Sequence, residues 1–115
     1  MRPGSGFNRP IDPDRTVPRL RTSLPFLLPD GWRGEVVDLS ATGLRIQCLA
    51  LLSPQSTIEG TLVIDDEHRI RLKGVVVWTS PPDHQGFVPA EFGLELVEVP
   101  EEYLEALARL FADQG

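Results

Sequence analysis

The sequence predicts a small all-β domain, either a barrel or a sandwich, that ends in one α-helix. Apolar and polar residues alternate along several short segments, as they do in strands that are buried on one face. Turn-forming residues separate these segments at intervals of roughly 10 residues, a spacing typical of small barrels and sandwiches. After Pro100 the apolar residues follow a helical period instead. A chain of 115 residues is long enough for one domain with its own hydrophobic core.

Residues 1–14 are predicted to form a flexible N-terminal arm ahead of a folded domain over residues 15–112. The arm contains three prolines and two glycines, and it has little apolar surface to bury. Residues 1–22 carry five arginines against two aspartates, although the formal net charge of the chain is -6. The positive charge is therefore concentrated at the N-terminal end.

The strands are predicted in order along the chain. An apolar segment over residues 24–28 precedes a turn at residues 29–31, and a second strand runs from Trp32 to Leu39. Period-two alternation then marks four more strands, with apolar positions Leu44, Ile46 and Cys48; Ile58, Leu62 and Ile64; Ile70, Leu72, Val76 and Trp78; and Phe92, Leu94 and Leu96. Gly60 interrupts one of them, which indicates a bulge or a close approach of the backbone.

The C-terminal helix is predicted over residues 101–112. Pro100 and the two glutamates that follow it suit a helix N-terminus, because acidic groups there interact favourably with the helix dipole. Four apolar side chains are predicted to share the buried face of this helix: Leu104, Leu107, Ala108 and Phe111. We expect this face to cover an open end or an edge of the β structure.

Composition restricts the compartment and the partners. Cys48 is the only cysteine, so no disulfide framework is expected and a reducing compartment is natural. The sequence contains no apolar run long enough to span a bilayer and no signal-peptide core, so we expect a cytoplasmic protein. The acidic balance disfavours binding to DNA, RNA or a membrane surface.

No arrangement of residues predicts catalysis or a metal site. His68 and His84 lie in polar turns without a cysteine or a third ligand at zinc spacing. Ser40 has no histidine nearby in a nucleophile motif, and Cys48 falls on the apolar side of its strand. We therefore expect a protein that is not an enzyme and that holds no metal.

Two short patterns stand out for their chemistry. Arg15 and Arg19 form an Arg-x-x-x-Arg pattern, and Asp38, Ser40 and Gly43 form an Asp-x-Ser-x-x-Gly pattern at a predicted turn between strands. The planar guanidinium group matches both phosphate and the O6/N7 edge of guanine, and a carboxylate accepts hydrogen bonds from the N–H groups of guanine. Together the patterns predict a site for a small guanine nucleotide.

Each pattern also has a structural alternative. Two arginines on a flexible arm are commonly just solvated. The Asp-x-Ser-x-x-Gly segment is equally compatible with a tight turn, in which Asp38 or Ser40 bonds local N–H groups and Gly43 adopts a positive φ.

The order and spacing of the two patterns, in this β context, resemble the PilZ domain family of bacterial receptors for cyclic di-GMP. The RxxxR motif of that family matches Arg15 and Arg19, and its [D/N]xSxxG motif matches Asp38, Ser40 and Gly43. The segments 76–78 and 92–96 look like later strands of the family. The resemblance covers about residues 15–112.

The resemblance implies a six-stranded antiparallel β-barrel with one C-terminal helix and a ligand site on its outer face. Arg15 and Arg19 would hold phosphate and guanine, Asp38 and Ser40 would meet another guanine edge or the phosphate-ribose ring, and Gly43 would leave space. Trp78 is expected in the core or at the barrel rim, from which its indole could also contact the ligand. No cofactor is implied besides cyclic di-GMP itself.

The resemblance also implies a downstream protein partner that reads the bound state. The chain departs from many family members at Asp14, where they carry a further arginine. This residue favours an alternative function, a PilZ-like protein-interaction module that no longer binds nucleotide.

Overall fold

Six antiparallel strands close into a barrel, and one helix follows them. The computed structural model describes residues 18–49, 52–83, 85 and 89–114. The strands are β1 (Leu20–Leu27), β2 (Arg33–Leu39), β3 (Gly43–Cys48), β4 (Thr57–Val63), β5 (Arg69–Ser80) and β6 (Ala90–Glu98), and the helix is α1 (Glu101–Gln114). The predicted fold class is confirmed, and the barrel is the correct one of the two β architectures. The predicted arm, Asp14 and Arg15 lie outside the described residues.

The strands are arranged around the barrel in the order β1-β2-β3-β6-β5-β4, and β4 pairs with β1 to close it. A 3-10 turn over Pro29–Gly31 joins β1 to β2. Gly31 there has a φ of +82°, which glycine adopts without strain. Closure gives every strand a neighbour on both sides, and side chains fill the interior, so the outer surface of the barrel is where a ligand can bind.

Alternation along the strands places the apolar side chains inside the barrel. The fully buried members of this core are Phe26, Val36, Leu39, Ile46, Leu62 and Val76. The ring of Phe26 fills the space where a side chain at Gly60 would lie, and a Cβ at Gly60 would also be only 3.0 Å from the carbonyl oxygen of Leu27. The close approach predicted at Gly60 is therefore confirmed.

The predicted buried face of the helix is partly wrong. Leu107 is buried as expected, but Leu104 and Ala108 are exposed, and the side chain that packs deepest is Tyr103. The observed face is rotated towards Tyr103, and its residues are Tyr103, Ala106, Leu107, Leu110 and Phe111. Tyr103 also carries a polar hydroxyl into the core. That hydroxyl donates a hydrogen bond of 2.6 Å to the carbonyl oxygen of Ser40, so the aromatic ring can be buried.

Within the described ranges, no helix combines the length and apolar character needed to cross a membrane.

Candidate ligand-binding site

A cleft of about 290 Å³ lies on the outer face of the barrel, between the end of β2 and the C-terminal part of β5. Four of the predicted site residues line it: Arg19, Asp38, Gly43 and Trp78. The lining residues that were not predicted are Thr42, Leu44, Arg45, Val77, Gly93, Leu94 and Glu95. The fold therefore gathers residues from the start of β1 and from four further strands into one place.

A bulge in β2 turns Asp38 towards this cleft. Val36 pairs with Ile46, but Asp38 pairs with Arg45 instead of Leu44, so β2 has one extra residue here. Without the bulge, Asp38 would share the inward face of Val36. A bulge re-aims side chains in this way. As a result the carboxylate faces the guanidinium group of Arg45 on the outer surface.

A second bulge turns Trp78 outward. Val76 pairs with Leu94 and Trp78 pairs with Gly93, so the inward alternation of β5 ends at Val76. Trp78 is 39% exposed, so it does not lie in the core, which was one of the two positions predicted for it. The indole lies across Gly93, where a Cβ would be 2.6 Å from Cε2 of the tryptophan. Gly93 thus leaves room for a flat aromatic wall of the cleft.

Substitution of Gly93 by alanine is expected to push the Trp78 indole out of this position. The added methyl group overlaps the ring, and overpacking of this kind costs about 1–3 kcal/mol when the neighbour cannot move freely. Tryptophan fluorescence with acrylamide quenching, in a Trp32→Phe background, reports on Trp78 alone, since the chain has only two tryptophans. We expect greater quenching in Gly93→Ala than in Val97→Ala, an exposed change on the same strand. Equal quenching would show that the indole does not rest on Gly93.

Arg19 and Arg45 both hold the Asp38 carboxylate. Arg19 donates from Nε to Oδ1 of Asp38 over 2.9 Å, and its Nη2 contacts the same oxygen. Nε of Arg45 lies 3.1 Å from Oδ2 of Asp38 and 3.8 Å from a carboxylate oxygen of Glu91. This Arg45 atom is buried and makes no aligned hydrogen bond. The interaction of Arg45 Nε with Asp38 is therefore close enough for charge attraction but is geometrically poor.

Arg45 is the one arginine among the lining residues that the sequence did not predict. The alternation of apolar and polar residues in β3 predicts a solvent-facing position for Arg45, and Arg45 belongs to neither motif. The one feature of the sequence that points to Arg45 is its position across the β2–β3 turn from Asp38. The bulge that pairs Asp38 with Arg45 has no signature in the sequence.

The predicted Ser40 lies near the cleft but not in its lining. Its side chain is fully buried in the turn between β2 and β3. The hydroxyl accepts a hydrogen bond from the Thr42 N–H over 3.3 Å, and the Ser40 N–H donates to the Gly43 carbonyl oxygen over 2.9 Å. The Leu96 N–H donates to the Thr42 carbonyl oxygen over 2.9 Å and ties the turn to β6. The segment is thus both a tight turn and one wall of the cleft.

Gly43 is required for space rather than for a positive φ. Within the described residues only Gly31 among the glycines has a positive φ, so the conformational alternative for Gly43 is wrong. A Cβ at Gly43 would lie 2.6 Å from the backbone carbonyl oxygen of Leu94. Because backbone cannot move aside as a flexible side chain can, only glycine allows β3 and β6 to pack this closely here.

Tyr103 connects the turn to the helix, and its ionisation gives a pH-dependent prediction. Burial raises the pKa of the Tyr103 hydroxyl well above its ordinary value, while the charge of Arg19 acts in the opposite direction. Above about pH 10 the unfolded chain loses this proton before the native state does, so the stabilisation is complete below that pH and decreases as pH rises.

This ionisation can be isolated because Tyr103 is the only tyrosine. We expect the stability advantage of the wild type over Tyr103→Phe, measured by urea denaturation, to shrink as the pH is raised above about 10. An advantage that stays constant with increasing pH would contradict the burial of an ionisable hydroxyl at this position.

Among the described residues, no group of three or more histidine, cysteine, aspartate or glutamate side chains is arranged to hold a metal ion. The cleft offers charged, hydrogen-bonding and aromatic groups on the outside of a closed barrel, which are the kinds of group that can orient a small organic ligand.

Comparison with known proteins identifies the family. The model of the PilZ domain matches residues 13–113. The structure resembles the Bacillus subtilis inhibitor of motility MotI/DgrA, with a TM-score of 0.72 and 17% identity over 87% of this chain and 51% of that chain. It also resembles the PilZ domain of YcgR from Escherichia coli, solved with c-di-GMP, with a TM-score of 0.60 and 14% identity over 86% of this chain and 97% of that chain. No curated protein matches the sequence.

Because the family match extends over most of its length, this chain belongs to the PilZ domain family. The match indicates no enzyme family. The chain spans about half the length of MotI, and at such low identities the two solved structures show a shared fold.

Proposed function

We propose that this PilZ domain is a non-catalytic receptor that binds cyclic di-GMP in the cleft. The observation that carries the proposal is the meeting of Arg19, Asp38 and the Trp78 indole at one outward-facing cleft. Membership of the PilZ family supports it, and so does the shared fold with the YcgR domain solved with c-di-GMP. Cyclic di-GMP is a dianion with two flat purines, so its receptor needs cations, a hydrogen-bond acceptor and a stacking surface.

Trp78 supplies the stacking surface. Stacking of a base on an aromatic side chain is worth about 1–3 kcal/mol. The bulge in β5 and the absence of a side chain at Gly93 fix the indole on the outer face, where a guanine can lie against it.

Arg19 and Asp38 supply the polar recognition. In the structure Arg19 and Asp38 pair with each other, which keeps two partly buried charges compensated. On binding, the guanidinium fork of Arg19 exchanges part of this ion pair for phosphate or for guanine O6 and N7. Asp38 remains close to Arg45 and accepts hydrogen bonds from the guanine N–H groups.

Charge balance explains why further arginine groups matter. The described lining contains two guanidinium groups, Arg19 and Arg45, and two carboxylates, Asp38 and Glu95. A dianion therefore gains little from the net charge of these four residues, and additional cations would improve binding. Arg15 remains a proposed contributor of that charge from outside the described residues.

The size of the cleft sets how much of the ligand it can enclose. About 290 Å³ is at the low end for ligand pockets, which commonly span 300–1,000 Å³. It suits one guanine and its phosphate, so the rest of the dinucleotide would lie on the open face. Ser40 and Gly43 then serve the site by shaping its floor, Ser40 through the turn and Gly43 through the close packing of β3 on β6.

Calorimetric titration of the wild-type protein tests the proposal. We expect binding of cyclic di-GMP at micromolar concentration and weaker binding of cyclic di-AMP, because adenine lacks O6 and the guanine N–H donors. Each unsatisfied polar group in a site costs about 1–3 kcal/mol, which corresponds to about 5- to 150-fold in affinity. The absence of heat with cyclic di-GMP would reject the receptor and favour a protein-interaction module on this fold.

A further inference from the structure

Exposed apolar side chains form a strip next to the cleft. Seven large apolar residues are exposed among the described residues. Val77 and Trp78 line the cleft, and three more lie at the end of β6, just after it and in the first turn of α1: Val97, Val99 and Leu104. Single exposed apolar residues are ordinary, but a contiguous group on one face indicates a binding surface. We name Val75, Val77, Val97, Val99 and Leu104 the apolar strip.

The register of β5 and β6 places the strand residues of the strip on the outer face. Val75 pairs with Glu95, so Val97 is its diagonal neighbour on this face. A register shift between Leu96 and Glu98 ends the alternation, and Val99 is exposed directly after the strand, just before the helix. Val77 lines the cleft, so the strip begins at the candidate ligand site.

The start of the helix explains the positions of only two residues of the apolar strip, Val99 and Leu104. Leu104 N–H donates to the Pro100 carbonyl oxygen, which places Val99 and Leu104 at the two positions of a hydrophobic staple. A staple explains why these two side chains face each other. It does not explain Val97, which is 56% exposed, or Val77, which is 48% exposed.

Carboxylates border the strip. Glu95 and Glu98 lie on β6, and Glu101 and Glu105 lie on the exposed side of α1 next to Leu104. The cation that β5 places opposite this border is Lys73, which pairs with Glu98. The border is therefore acidic overall, and its charge complements a basic partner.

We propose that the apolar strip docks a segment of a partner protein that has an apolar face with lysine or arginine along its edges. The proposal rests on the proposed function in one respect: a ligand in the cleft lies beside Val77 and extends the docking surface. The strip itself is present without the ligand, so its binding can be measured separately.

Binding of a synthetic amphipathic helical peptide, with leucines on one face and lysines along both edges, tests the proposal by fluorescence anisotropy. We expect Val97→Ser/Leu104→Ser to raise the Kd at least about tenfold, because two apolar side chains lose their burial. Leu49→Ser is the matched control, since Leu49 is exposed but lies at the end of β3 away from the strip.

A second pair of variants tests the acidic border. Glu98→Gln/Glu101→Gln and Asp66→Asn/Glu67→Gln remove the same charge, but the second pair changes the turn between β4 and β5. We expect only the first pair to weaken peptide binding substantially. If the two charge variants weakened peptide binding equally, the attraction would be non-specific and the proposal would be overturned. The same conclusion would follow if Leu49→Ser weakened peptide binding as much as Val97→Ser/Leu104→Ser.

Analytical ultracentrifugation of the protein alone tests whether a second copy of the chain occupies the apolar strip. We expect a monomer whose mass is the same in the wild type and in Val97→Ser/Leu104→Ser. A dimer that this variant dissociates would assign the strip to a second copy of the chain and overturn the proposal. A cyclic di-GMP titration that fails, while the strip variants still weaken peptide binding, would reject the proposed ligand and leave the docking surface in place.

Discussion

Arg19→Ala is expected to weaken binding of cyclic di-GMP by about 2 kcal/mol or more, roughly thirtyfold, in calorimetric titrations. Arg19 is the one motif arginine within the described residues, and its guanidinium group lies in the cleft against Asp38. The variant removes a bidentate donor from the ligand. It also leaves Asp38 with Arg45 alone, so part of the lost affinity arises from a less well positioned carboxylate.

Arg33→Ala provides the matched control for this experiment. Arg33 is an exposed arginine at the opposite end of β2, where it lines a different groove with Gln47 and Leu49. We expect its affinity to remain close to that of the wild type, with thermal denaturation showing that both variants are folded. If Arg19→Ala bound as tightly as Arg33→Ala, Arg19 would not belong to the ligand site.

Tyr103→Ala is expected to lower the free energy of unfolding by about 3–5 kcal/mol, the usual range for removing a large buried aromatic side chain. Tyr103 is 1% exposed and packs into the barrel core from the helix. Its loss also leaves the Ser40 carbonyl oxygen without its donor. Since Ser40 belongs to the turn that lines the cleft, we expect ligand affinity to fall as well.

Two further variants separate packing from hydrogen bonding in urea denaturation. Tyr103→Phe keeps the ring and loses only the hydroxyl, so a loss of about 1–2 kcal/mol is expected. Leu104→Ala changes the next residue, which is 43% exposed, and should cost only about 0.5 kcal/mol. Comparable losses for Tyr103→Ala and Leu104→Ala would show that Tyr103 does not anchor the helix.

The barrel and the helix were predictable because they depend on average patterns. Inward alternation in β3 and β6 and the helical period after Pro100 are repeated over many residues, so a local exception does not change the result. The phase of the helix was less predictable. It depends on how the barrel receives the side chains of Tyr103, Ala106, Leu107, Leu110 and Phe111, including a hydrogen bond from the Tyr103 hydroxyl to Ser40, 63 positions away in the sequence.

The types of residue at the site could be predicted from the sequence, but the directions of their side chains could not. The motifs singled out Arg19 and Asp38, which the structure brings into contact. The directions of Asp38 and Trp78 depend on bulges, each of which reverses the face of every later residue in its strand. Alternation alone therefore placed Trp78 with the core, and it gave no reason to pair Arg45 with Asp38.

Amide NMR shifts during a titration with cyclic di-GMP test the assignment of the cleft most directly. We expect the largest changes in the turn over residues 40–43, at Arg45 and at the Trp78 indole N–H, since these groups surround the cleft or line it. The largest changes in the groove beside Arg33 and Leu49, or no changes at saturating ligand, would contradict binding at this site.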